Sequence, residues 1–173
     1  MSRSRYVPLA FLLAISGVPA ACDQAPVSEP LDQADYTQVA PNGLLSLCQV
    51  APSTSSRATI GVLGGSIRAG GVTMTVPVGA VLQATEFRMQ VPSSQYAEVE
   101  IHANGQEHFQ FLAPVVISMD YSRCSMPSGV LLSAWHIDPD TKSLLENMGG
   151  VNDVLNQRVI FSTMHLSGYA IAN

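Results

Sequence analysis

The sequence predicts an all-β protein, an antiparallel β-sandwich of roughly eight to ten short strands. Three observations carry that expectation. From Arg57 onward, short runs rich in β-branched or aromatic residues recur, punctuated by Gly, Pro, Asn or Ser at spacings of about 8–12 residues. Several runs alternate: Val72, Met74 and Val76 share one face of "VTMTV" with Thr73 and Thr75 on the other, and Phe87, Met89 and Val91 alternate with Glu86, Arg88 and Gln90. No helices stand between the runs, and strands without helices bury their apolar faces by packing sheet on sheet.

The chain divides into three parts: 1–21 a signal peptide, 22–56 a tether and 57–173 the sandwich. "MSRSRY" carries Arg3 and Arg5, "VPLAFLLAISGV" is a short apolar run, and "PAAC" brings small residues to Cys22. That order describes a secretory signal. The run is shorter than the roughly 20 apolar residues that span a bilayer. Ala20-Ala21-Cys22 resembles a bacterial lipobox, which implies a diacylated Cys22 as the new N-terminus, although Pro19 stands where an aliphatic residue is usual. Ordinary cleavage after Ala20 is the alternative. The expected location is therefore the cell membrane or outer membrane as a lipoprotein, or else the periplasm or medium. "CDQAPVSEPLDQADYTQVAPNG" is polar, acidic and Pro-rich, with little to bury, as a flexible tether would be.

Within the sandwich the expected strands are "RATIGV", "GSIRA", "VTMTVP", "TEFRMQVP", "AEVEIHA", "EHFQFLA", "PVVISMDYS", "GVLLSAWHI", "RVIFSTMH" and "SGYAIAN". Asn104-Gly105 supplies a two-residue hairpin turn that would pair Ala103 with Gln106, His102 with Glu107 and Ile101 with His108. "SLLENMGGVNDVLN" has mixed periodicity and reads as strand, loop and a possible helical turn.

Cysteine parity and charge narrow the partners. With Cys22 lipidated, Cys48 and Cys124 remain as an even pair in an oxidising compartment, and a disulfide between them would contribute about 4 kcal/mol on the chain-entropy estimate. Two separate buried thiols are the alternative. Losing the signal removes two of the eight basic residues and none of the thirteen acidic ones, leaving six against thirteen, a net charge of −7 with histidines neutral. There is no basic stripe to hold nucleic acid. An acidic body is repelled by acidic membranes, so a membrane location would come from the lipid on Cys22.

"IGVLGGSIRAGGVTMTVPVGAV" resembles the opening of the ZU-five domain, the β-sandwich module of ankyrins, zonula occludens proteins and netrin receptors. Gly64-Gly65 matches its paired glycine and Val76-Pro77-Val78-Gly79-Ala80 its Val-Pro-x-Gly-Ala. "FLAPVVISMDY" with Pro114, "LLSAWHID" with Trp135 and "STMHLSGYAIA" match its later strands, so the resemblance runs from about Ala58 to Ala172. It implies a non-enzymatic module that binds a partner protein of the cell envelope, with no cofactor.

Some members of that family cut themselves at a His-Phe-Ser, the serine attacking the preceding carbonyl. His165-Leu166-Ser167 matches this triplet. On a strand, residues 165 and 167 share a face, so His165 could take the Ser167 proton and the chain would break between Leu166 and Ser167. A hydrolase triad on Ser167 and His165 lacks the strained turn and the orienting acid. His136, Asp138 and Asp140 in "HIDPD" offer three metal ligands without a fourth, and an ordinary Asp turn explains them equally. The hairpin register puts His102 and His108 on opposite faces. Trp135, among Leu131, Leu132 and Ala134, belongs in the core rather than on a ligand platform. A carbohydrate-binding sandwich is a further possibility, disfavoured by the lack of an exposed aromatic run.

Overall fold

A computed structural model of the chain describes residues 43–106, 109–126 and 129–173. The expected signal peptide, Cys22 and most of the expected tether lie outside the described residues, as do Glu107 and His108. Two antiparallel sheets face each other, and no helix occurs among the described residues. Sheet one contains β1 (Thr54–Ile60), β4 (Thr85–Val91), β5 (Glu98–Ala103), β11 (Gly168–Ala172), β7 (Ser133–Ile137) and β8 (Leu144–Gly149), in the order β1-β4-β5-β11-β7-β8. Sheet two contains β2 (Gly65–Ala69), β3 (Val72–Val76), β6 (Gln110–Asp120), β10 (Arg158–His165) and β9 (Val151–Asp153), in the order β2-β3-β6-β10-β9. The sandwich expectation holds, with eleven strands among the described residues against the eight to ten expected.

The alternating strands bury the faces their patterns indicate. Met74, Phe87, Met89, Ile101, Ile117 and Tyr169 meet between the sheets, while Thr75, Glu86 and Arg88 stay exposed. Phe87, Phe109 and Phe111 pack as a trio with centroids 5.1–5.8 Å apart. Trp135 is buried as expected, but on the outer side of sheet one. It packs there with Ile137, Ala170 and Ala172 beneath Leu45 and Leu144.

Four local expectations change. The runs on either side of Pro114 form one strand, β6, not two. Proline is tolerated inside it because the ladder is interrupted there. Against β10 the register jumps from Thr163↔Val115 to His165↔Gln110, and pairing with β3 begins only at Val116, so nothing asks Pro114 for an N–H. The Asn104-Gly105 turn forms, with Ala103 and Gln106 exchanging both backbone bonds (2.8 and 3.2 Å). Yet β5 pairs with β4 and β11 while β6 pairs with β3 and β10, so the turn delivers the chain to the other sheet rather than closing a long hairpin. "SLLENMGGVNDVLN" becomes β8 and β9, which cross between sheets at Gly149-Gly150, and residues 154–157 form a turn. Finally, the tether's last stretch is part of the domain. Leu45 bridges Ala172, Leu47 bridges Tyr96, Ser46 N–H donates to Ile171 C=O (3.0 Å), and Cys48 is disulfide-bonded to Cys124. "LLSLCQV" resembles neither an alternating strand nor a polar linker, and only the disulfide partner hints where it goes.

The strands give the sandwich two ends. One end carries the turns after β1 and β3, the Asn104-Gly105 turn, the 138–143 turn and the β10–β11 crossing. The other carries the leading segment, the 121–132 loop, the 154–157 turn and Asn173.

Candidate functional site

"VIFSTMHLSGYAIAN" is two strands belonging to different sheets, and the His165-Leu166-Ser167 triplet is the crossing between them. Strand pairing on β10 ends at His165, Leu166 turns into the core, and β11 begins at Gly168. The crossing is held by its own polar groups. Leu166 N–H donates to Phe109 C=O (3.0 Å), and Ser167 C=O accepts from Ile101 N–H (3.2 Å). The Thr163 hydroxyl donates to His165 C=O (3.0 Å), and the Tyr169 hydroxyl donates to the same carbonyl. Burial pushes the Tyr169 phenol up to about 12; the Thr163 hydrogen bond opposes that rise and the Glu146 carboxylate adds to it. Tyr169 is therefore a neutral donor clamping the crossing at physiological pH. In the sequence it stood only within "STMHLSGYAIA", with no hint of this contact.

This geometry removes the premise that residues 165 and 167 project from one strand face. The histidine at the Ser167 hydroxyl is His136, with Nε2 2.7 Å from Oγ. Strand β7 supplies it: His136 lies directly opposite Tyr169 in the β7–β11 pairing, next to the crossing. The His165 ring packs against His136 and Tyr169, with centroids 5.7 and 6.4 Å away. Sequence spacing could not reveal the Ser167–His136 pair, because 31 residues separate two groups that only sheet order brings together.

A cleft of about 370 Å³ opens beside this pair, lined by Glu100, His102, His136, Asp138, Asp140 and Ser167 among others. Asp138 is occupied by its own turn. Its Oδ1 accepts from Thr141 N–H (2.8 Å) and Asp140 N–H (2.9 Å), and the bonds from Thr141 above all hold its carboxyl below the usual range. His102 sits 4.0 Å from Glu100. His136, Asp138 and Asp140 thus share a cleft wall, but among the described residues no three His, Cys, Asp or Glu side chains are arranged to hold a metal ion. His108 lies outside the described residues.

The same end carries a second feature. Gly64-Gly65 and Val76–Ala80 form interlocked turns: Gly64 N–H donates to Gly61 C=O (2.9 Å), Gly79 N–H to Val62 C=O (2.8 Å) and Leu112 N–H to Ala80 C=O (3.0 Å). Gly64 is required here. Its φ is +73°, and a Cβ would stand 2.4 Å from Val76 O. These turns hold Val62, Leu63, Val78, Leu82 and Leu112 outward, Leu63 at 82% and Leu82 at 74% exposure. Exposed aliphatics gathered on a rigid support are what docking surfaces show, whereas scattered ones carry no meaning.

Fold and surfaces define the class: a two-sheet antiparallel β-sandwich with an acidic cleft and an apolar turn surface at one end. No known family model matches the chain, and no curated protein matches it.

Proposed function

We propose that this chain is an exported cell-envelope protein, anchored through a lipid on Cys22, whose ZU-five-like sandwich binds a partner protein without catalysing a reaction. The observation that carries this reading is the apolar surface on the interlocked turns. Val62, Leu63 and Val78 stand exposed on the very motif that resembles the family's opening and Leu82 directly after it, and hydrogen-bonded turns lose little freedom when they bind. A photo-crosslinking residue at Leu63, introduced in the producing cell, tests it. One discrete envelope-protein adduct is expected, and it should vanish when Val78 and Leu82 are changed to Asn. Diffuse or absent crosslinking would refute the reading.

A second reading draws on the Ser167–His136 contact: self-cleavage between Leu166 and Ser167, with His136 in the role of base. Ser167 Oγ would bond to the Leu166 carbonyl carbon as its proton passes to His136. The Leu166–Ser167 C–N bond would break with His136 returning the proton to the freed Ser167 amine, and water would hydrolyse the resulting ester to a Leu166 carboxylate and the Ser167 hydroxyl. A fragment ending at Leu166, absent in Ser167→Ala, is the signature that would establish it.

A further inference from the structure

The opposite end of the sandwich, where the leading segment joins the domain, is also apolar, and in a different way. Two adjoining grooves of about 360 and 220 Å³ share Met126, Val130 and Leu132. Leu131 and Val154 wall the first, and Leu44 and Leu47 the second. Leu131 is 85% exposed, and Leu155, on the turn beside Val154, is 96% exposed. Among the described residues, no side chain lining either groove carries a charge, in a chain whose acidic residues outnumber its basic ones thirteen to eight.

The charges nearby are turned to other uses, Lys142, which shares a third groove with Leu44 and Leu47, being paired with Glu98 at 2.6 Å. Arg123 is folded onto the carbonyls of Gln49, Ser94 and Tyr96. Asp153 accepts from Asn156 N–H (3.1 Å) and holds the turn that presents Leu155. Asp120 accepts from Ser122 N–H (2.7 Å).

The geometry points to this end as a membrane-contact face, resting on the bilayer interface with Leu44, Leu47, Leu131 and Leu155 among the lipid headgroups and upper acyl chains. The inference rests on the lipid-anchor reading. The sequence places twenty residues between Cys22 and Gly43, and a flexible chain of that length would reach roughly 25 Å, so a lipid on Cys22 would keep these leucines beside the surface. An apolar face partitions into an interface by burying aliphatic area. The acidic cleft lies at the far end of the same strands. From Leu132, just before β7, to Asp138, just after it, is about 20 Å, beyond the roughly 8 Å over which salt screens an anionic lipid surface. The contact would therefore leave the cleft and the Leu63 surface facing away from the membrane, open to a partner.

Tryptophan as a depth probe tests the face. The full chain, carrying Leu131→Trp, Leu155→Trp or Leu63→Trp, is reconstituted in phosphatidylcholine vesicles with brominated acyl chains, and emission is compared with the unsubstituted protein, whose only tryptophan is the buried Trp135. Leu131→Trp and Leu155→Trp should each be quenched at least twofold, and Leu63→Trp should not. All three positions are exposed, so the substitutions do not burden folding. Equal quenching at Leu63 and Leu131, or none at Leu131 and Leu155, would overturn the contact, including the case in which a second copy of the chain covers these leucines. Intact mass of the same preparation reads the lipid separately. A lipidated chain without quenching overturns the contact alone. An unlipidated chain that still shows quenching overturns the anchor and leaves the contact standing.

Discussion

One chemical change, Gly→Ala, should have three different effects at three glycines within the opening motif. At Gly64 the φ of +73° costs an L-residue about 1–2 kcal/mol. The added methyl would also stand 2.4 Å from Val76 O and 2.9 Å from the Pro77 carbonyl carbon, both backbone atoms. The Val76–Pro77 segment must retreat, weakening the Gly64–Gly61 and Gly79–Val62 bonds at about 1 kcal/mol each. The expected loss for Gly64→Ala is therefore about 3 kcal/mol. Gly79 has a φ of +78° but nothing within 4 Å of an added Cβ, so Gly79→Ala should lose only about 1–2 kcal/mol. Gly61 lies outside the left-handed region with open space around it, so Gly61→Ala should be neutral or up to about 1 kcal/mol stabilising, through the unfolded chain. Urea unfolding reads all three. With a slope of about 2 kcal/mol per molar, Gly64→Ala should move the midpoint down by about 1.5 M. Equal effects at Gly64 and Gly79 would show that the close approach to Val76 contributes nothing.

Other expectations follow from single contacts. Glu98 is 2% exposed and its Oε2 lies 2.6 Å from Lys142 Nζ; Lys142→Met should cost about 3 kcal/mol by stranding the buried carboxylate, and adding Glu98→Leu should recover most of it in a double-mutant cycle. The Tyr169 phenol, raised from 10.0 to about 12, keeps its proton longer in the folded protein than in the unfolded chain. Its contribution is thus complete below about pH 10 and lost as pH rises through about 12, a fall of about 2–3 kcal/mol that Tyr169→Phe should remove from the stability–pH curve. Tyr121 is raised too, chiefly by burial, so the readout is the difference between the wild type and Tyr169→Phe. Reducing the Cys48–Cys124 bond, which spans 76 residues, should lower stability by up to about 4 kcal/mol; no change in the urea midpoint would show that the leading segment is held by its backbone bonds alone.

What could be read in advance followed the range of each interaction. Alternation in "VTMTV" and "TEFRMQV" is a one-strand property, and the buried faces of β3 and β4 came out as their patterns indicate. The Asn104-Gly105 turn is equally local, and its bonds formed; which sheet the chain enters afterwards is decided by packing, and the expected pairs with Glu107 and His108 lie outside the described residues. Cysteine parity, once Cys22 is set aside as the expected lipid site, pointed to the Cys48–Cys124 bond that the structure contains. β9 has three residues, too few to show a period. The cleft was the least legible feature. Ser167 and His165 adjoin in sequence, but His136 reaches Ser167 only because β7 and β11 are sheet neighbours, a fact that no spacing along the chain encodes.

Intact mass of the protein made with its own signal, taken from membrane and soluble fractions before and after reduction, tests the proposed function most directly. A diacylated species in the membrane fraction, beginning at Cys22, ending at Asn173 and about two mass units heavier after reduction, is the expected result. An unlipidated species confined to the soluble fraction would contradict the anchored envelope protein. A chain ending at Leu166 would contradict the non-enzymatic module and make the β10–β11 crossing a reaction centre.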